Sequence, residues 1–191
     1  MTRAVIGLIA AAAVLLAACS SPARPASTAP ATNPVVHTGF NGNDVMFLQM
    51  MVPHDEQGRL IVRLAADRAA SAEVRTLAAA IDATQADEVA TMSGWLRAWG
   101  QPASAPAGSH AGHGGMPDTT NREIATLRRT GGPDFDRRFL NVLIAHQDDA
   151  IQLAKVEQTS GHNPDAVAMA ERIDRSRSAQ IQQMLRMLGQ A

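Results

Sequence analysis

Phe47-Leu48-Gln49-Met50-Met51-Val52-Pro53-His54 and Phe139-Leu140-Asn141-Val142-Leu143-Ile144-Ala145-His146 are two copies of one pattern, 92 residues apart. The first copy continues as a stripe: Phe47, Met51, His54, Gly58, Ile61, Ala65. Its steps alternate four and three, which is one face of a helix. The second copy repeats it with Phe139, Leu143, His146, Ala150 and Leu153. The same offset pairs Asp44 with Asp136, Ile81 with Ile173, Val89 with Ile181, Met92 with Met184 and Leu96 with Leu188. Two similar helical hairpins can bury their apolar faces on each other, and the simplest product is an all-α four-helix bundle.

Cap signals divide the chain around these stripes. A first helix is predicted from about Asn43 to Ala69, with Asn41 or Asn43 as N-cap, and a second from Ser71 to Trp99, stopped by Gly100. A third starts near Pro133-Asp134 and ends before Gly161. A fourth opens with Asn163-Pro164-Asp165, which is N-cap, proline in the first turn and an early acid, and ends at Gly189. The bundle domain is therefore read as 41–189: hairpin 41–100, linker 101–132 with a short helix around Thr120–Arg129, and hairpin 133–189.

The N-terminus carries a different signal. Arg3 precedes the apolar run Ala4–Ala18, which is shorter than the about 20 residues of a membrane-spanning helix. The run ends Leu16-Ala17-Ala18-Cys19, which resembles the lipobox cut by the bacterial lipoprotein signal peptidase. On that reading, 1–18 is a signal peptide, Cys19 is the acylated new N-terminus, and 19–40, rich in Ser, Pro, Ala and Thr, is a disordered tether. The expected location is the extracytoplasmic face of a bacterial membrane, held by the N-terminal lipid.

Composition narrows the function. The 17 basic and 18 acidic side chains give a net charge of −1, without the basic excess of a nucleic-acid binder. Aromatics are 3% and tyrosine is absent, which is poor material for a β-sandwich. A single cysteine excludes an internal disulfide and any cysteine-built zinc or iron–sulfur site. No Glu-x-x-His motif of a carboxylate-bridged di-iron centre, no His-Glu-x-x-His, no phosphate-cradling glycine loop and no Gly-x-Ser-x-Gly elbow occurs. Catalysis is not expected.

The seam suggests metal chemistry. On the second helix Leu77, Ile81, Glu88, Met92, Trp95 and Trp99 share a face, so Glu88 interrupts an apolar stripe. Folding the hairpin near residue 70 brings His54 level with Gln85 and Glu88. Core candidates for a metal are thus His54, Asp55, Glu88, Met92, Met50, His146 and Met184; imidazole and thioether donors suit copper, carboxylates harder ions. The same residues also read as a hydrogen-bonded polar pair and packed methionines. In the second half, the offset replaces Gln85 by Arg177 and Glu88 by Gln180. Arg177 is expected to pair with Asp55, Glu88 or Asp149 and to stand where a metal would, in a structural polar network with Gln85 and Asp149.

The two quoted stretches, and the step Gly132-Pro133-Asp134-Phe135-Asp136-Arg137, resemble the bacterial "domain of unknown function 305" family over most of Asn43–Gly189. The resemblance implies an exported ferritin-like helical bundle with a His-His pair in each half, in a family some of whose members are linked to copper binding or tolerance. This chain departs from that pattern. The pairs are His54-Asp55 and His146-Gln147, and the later methionine positions hold Ile61 and Leu153. Gln85, Glu88 and Met92 keep the pattern in the first half, and only Met184 in the second.

The linker supplies a second donor set, Ser109-His110-Ala111-Gly112-His113-Gly114-Gly115-Met116. His110, His113 and Met116 could capture Cu(I) or Cu(II) without a preformed pocket, or simply be solvated linker. The expected function is a membrane-anchored lipoprotein that binds or buffers a metal, copper being favoured. The alternatives are a metal-free helical scaffold acting through contacts with an unknown protein partner, and a small-ligand pocket in the bundle.

Overall fold

Local capping explains where each helix starts. The computed structural model describes residues 37–105 and 119–189. Helix α1 (Gly42–Val62) opens on a capping box: the Asn41 side chain accepts from the amides of Asn43 and Asp44, and Asp44 returns a bond to the Asn41 amide. Helix α2 (Ala65–Arg68) is a single turn. Helix α3 (Ala72–Ala98) is capped by Ser71, and α4 (Asn121–Arg129) by a Thr120–Glu123 capping box. Helix α5 (Gly132–Ser160) and helix α6 (Pro164–Leu188), capped by Asn163, complete the chain. Gly100 takes φ +65°, and the Gln101 amide returns to the Leu96 carbonyl, the left-handed stop that favours glycine. Among the described residues no helix is long and apolar enough to cross a membrane.

One boundary differs from the periodicity. The first helix does not run unbroken to Ala69; it ends at Val62. Leu64 bonds back to Ile61 and Ala66 to Arg63, so the ladder tightens from i−4 to i−3 before the single turn of α2. The chain then turns into extended Ala69, and Asp136 of α5 accepts from the amides of Ala70 and Ser71. That clamp starts α3 in a place fixed by the other hairpin.

The packing is layered. Helices α1 and α3 form one antiparallel hairpin, α5 and α6 the other, and α1 packs on α5 between them. At the α1 N-terminal end Phe47, Leu48, Met51, Met92, Leu96 and Ile173 form one apolar cluster. At the opposite end Ile61, Ile81, Phe135, Phe139, Leu143 and Met184 form another. His54, Asp55, Gln85, Glu88, His146, Gln147 and Arg177 are buried but belong to neither cluster. They form a polar layer between the two.

Residues 37–40, expected as the end of a disordered tether, are instead strapped to the bundle, and the rest of 19–40 lies outside the described residues. Asn163 donates to the carbonyls of His37 and Gly39 while its oxygen caps α6; Trp99 Nε1 also donates to His37 O, and Phe40 stacks on Trp99 at 4.7 Å. Asp44 accepts from the amides of His162 and Asn163. Burial opposes its charge, yet these amides, that of Asn41 and the neighbouring Glu157 hold its pKa below normal. Burial and the Asp44 carboxylate push Glu157 up to about 8, so it sits there neutral.

Asn163→Ala removes a cap and two carbonyl partners together and is expected to cost about 2–3 kcal/mol in urea unfolding. Ser71→Ala, which removes a cap alone, should cost about 1 kcal/mol. Equal losses would show that the strap adds nothing to stability.

Candidate functional site

The polar layer is built by helical register. His54 and Asp55 sit on α1, Gln85 and Glu88 on α3, His146 and Gln147 on α5, Arg177 on α6. Arg177 is completely buried. Its Nη2 donates to Asp55 Oδ1 at 3.3 Å and to Glu88 Oε2. Gln85 Nε2 donates to the same Asp55 oxygen at 3.3 Å. In the second half Gln147 and Gln180, at the positions equivalent to Asp55 and Glu88, bond to each other. One half thus holds two acids and the other two amides, and the Arg177 guanidinium crosses from α6 to the acids.

His54 finds its partner across the hairpins rather than at Glu88. Its ring stacks on that of His146 with centroids 3.8 Å apart and planes 7° from parallel. These are equivalent positions of the repeat, so the stack marks a local pseudo-twofold axis. His54 Nε2 donates to the His146 carbonyl at 3.1 Å, which leaves His54 Nδ1 a bare acceptor. His146 Nδ1 lies 3.3 Å from Thr119 Oγ1, and its Nε2 has no partner. Gly58 makes room for this arrangement: a Cβ there would come within 2.7 Å of His146 Nε2 and 2.8 Å of both Gln85 amide atoms.

Burial keeps both imidazoles neutral. It drives the His54 pKa well below normal, with the His146 and Arg177 charges adding to it. It takes His146 to about 4, again with Arg177 adding. Burial also raises Asp55 to about 7, against the pull of Arg177 and with the push of Glu88.

The donor set expected for a core metal is divided by this packing. Met50 and Met92 lie in the apolar cluster on one side of the polar layer, Met184 in the cluster on the other. The carboxylates of Asp55 and Glu88 already hold a guanidinium. The two histidines lie face to face, so their lone pairs do not converge. Among the described residues no three His, Cys, Asp or Glu side chains group so as to hold a metal ion. The core residues present do not fit a bound cation other than Arg177. Asp149 is half-buried on α5. Cys19 and the linker set His110, His113 and Met116 lie outside the described residues.

The structure gives a role to Gly58, which lay on the first stripe without one, and adds positions that the stripes did not hold: Gln147, Gln180 and Thr119. The repeat offset points to Gln147 and Gln180, and a glycine in mid-helix points to Gly58; Thr119 carries no local signal. Both linker ends return to α1: Gln49 Nε2 donates to Pro102 O, and Gln57 Oε1 accepts from the Thr119 amide.

The sequence pattern of a family described as a domain of unknown function, DUF305, matches residues 44–188. No curated protein matches the chain. Among solved structures, a DUF305 protein of Streptomyces coelicolor, described as secreted, superposes with a TM-score of 0.74 at 26% identity, covering 78% of this chain and 93% of its own. A DUF305 fragment from Deinococcus radiodurans gives 0.69 at 26%, covering 79% and 98%. CopM in its Cu(I)-bound form gives 0.64 at 27%, covering 77% and 96%; Cu(II)- and silver-bound forms of CopM are also similar.

Arg177→Met leaves two carboxyl groups buried without their cation and is expected to cost about 3–5 kcal/mol in urea unfolding. Adding Asp55→Asn and Glu88→Gln should return most of it; a triple variant as unstable as the single one would refute the charge account. The histidines give a pH slope. Their folded pKa values lie below the 6.5 of the unfolded chain, so unfolded chains take up protons first. Their contribution is intact above pH 6.5, and that of His146 is lost as pH falls towards 4. The urea midpoint of His146→Gln should therefore change less than that of the unmodified protein across this window.

Proposed function

The chain belongs to the DUF305 family, and from that membership and the polar layer we propose that it binds copper through its linker, on an exported bundle whose own core is closed to metal ions. The observation that carries this reading is Arg177, buried against Asp55 and Glu88. A fixed positive charge there repels a second cation, so the bundle core is a poor metal site. The linker His110-x-x-His113-x-x-Met116 offers two imidazoles and a thioether, donors suited to either copper oxidation state. Both described ends of the linker are bound to α1, at Gln49 and Gln57, two helical turns apart. The copper- and silver-bound forms of CopM, similar over most of both chains, support copper as the ion. In this reading Cys19 carries the lipid and the protein acts at the envelope by binding, without catalysis.

A second reading is favoured by the same core. A layer in which Arg177, Asp55, Glu88 and Gln85 bind one another is what a metal-free scaffold needs, and such a scaffold would act through protein contacts.

Anaerobic titration of the purified protein with Cu(I), against a competing chelator, separates the two. We expect micromolar or tighter binding that disappears in His110→Ala/His113→Ala and survives in His54→Ala. Loss in His54→Ala alone would move the site to the polar layer. No binding by the unmodified protein would leave the scaffold reading.

A further inference from the structure

Helices α3 and α6 are the outer members of their hairpins. They run antiparallel, since Trp99 at the end of α3 and Asn163 at the start of α6 meet at His37 O. Between them lies an open trough of about 390 Å³. Asp87, Glu88 and Thr91 line it from α3, and Met169, Arg172 and Ser176 from α6. The spacings 87–91 and 169–176 each keep one helix face towards the trough. Counted from the shared end, Arg172 stands at a height similar to that of Asp87 and Glu88.

Across the trough Arg172 and Asp87 carry opposite charges that do not meet. Among the described residues no ion pair joins Arg172 to Asp87 or Glu88. Arg172 Nη2 instead rests 3.6 Å from the Met169 sulfur, a weak acceptor. Asp87 and Arg172 are exposed. Glu88 differs: its side chain is 10% exposed, its Oε2 is held by Arg177, and what remains opens on the trough. The guanidinium behind Glu88 already answers its charge, which leaves Asp87 as the acid open to a ligand.

The charge arrangement selects among ligands. A free cation would gain at Asp87 but face Arg172, and at Glu88 it would meet the Arg177 guanidinium. A plain anion would gain at Arg172 but face both acids. A molecule carrying an ammonium and a carboxylate a few atoms apart gains at both walls. We propose that the α3–α6 trough is a binding site for a small zwitterion of the α-amino acid class, with the ammonium at Asp87, the carboxylate at Arg172, and the side chain towards Met169 and Thr91. The ligand bridges Asp87 and Arg172, which the fold holds apart, and it does so independently of any metal.

The test is calorimetric titration of the full chain, in buffer with a metal chelator, using glycine, L-methionine and L-glutamine as probes. Saturable binding of at least one probe is expected, weakened at least about tenfold by Arg172→Ala and by Asp87→Asn, since each removes a charge-assisted bond. Both residues are exposed, so both variants should unfold at the same temperature as the unmodified protein. Acetate and methylammonium, each carrying one of the two charges, should not displace the bound probe at equal concentration. Absence of saturation by all three probes up to about 10 mM, or an affinity in both variants unchanged from that of the unmodified protein, would overturn the proposal.

Discussion

A single guanidinium decides how the two hairpins fit. Arg177 sits on the last helix and binds acids from the first and third, so α6 cannot be shifted along the first hairpin without parting it from Asp55 or Glu88. Apolar clusters above and below give cohesion, but apolar side chains tolerate sliding. A buried charge does not, because the cost of leaving it unpaired is several kcal/mol, of the order of a domain's whole stability. The polar layer therefore sets the register, and the clusters fill in around it.

The layer also breaks the symmetry of the repeat. Equivalent residues meet at the His54–His146 stack, and the apolar positions of the two halves match closely. At the very next residue the halves diverge, with Asp55, and Glu88 beside it, on one side and Gln147 and Gln180 on the other. A guanidinium needs acids on the half it reaches into, and amides suffice on the half it comes from. The pairing rules that a symmetric bundle would leave open are closed by this difference.

Much of this was legible in the residues, for a physical reason. Helix ends follow local chemistry, so Asn41, Ser71, Asn163 and Gly100 could be read as caps and stops before any packing was known. The break after Val62 could not, since no residue there forbids a helix; it follows from the clamp of Asp136 on the Ala70 and Ser71 amides, a contact between elements 65 residues apart. The site shows the same division. Periodicity and the repeat offset marked the seam positions His54, Glu88, His146 and Arg177. Periodicity along one hairpin, however, put His54 opposite Glu88, because it sees only partners within that hairpin. The stack on His146 depends on how the hairpins meet, and the close approach that makes it fit depends on the missing Cβ of Gly58. The pairing of Asp44 with a neutral Glu157 had no signal in the residues at all.

The strap at residues 37–41 has a mechanical meaning. The chain enters the bundle through a short extended stretch held by Trp99 from the end of α3 and by Asn163 from the start of α6. A pull along that stretch meets both hairpins at once, and the bonds resisting it are loaded together rather than one after another. Tension arriving from the N-terminal side is shared before it can peel the first turn of α1 away.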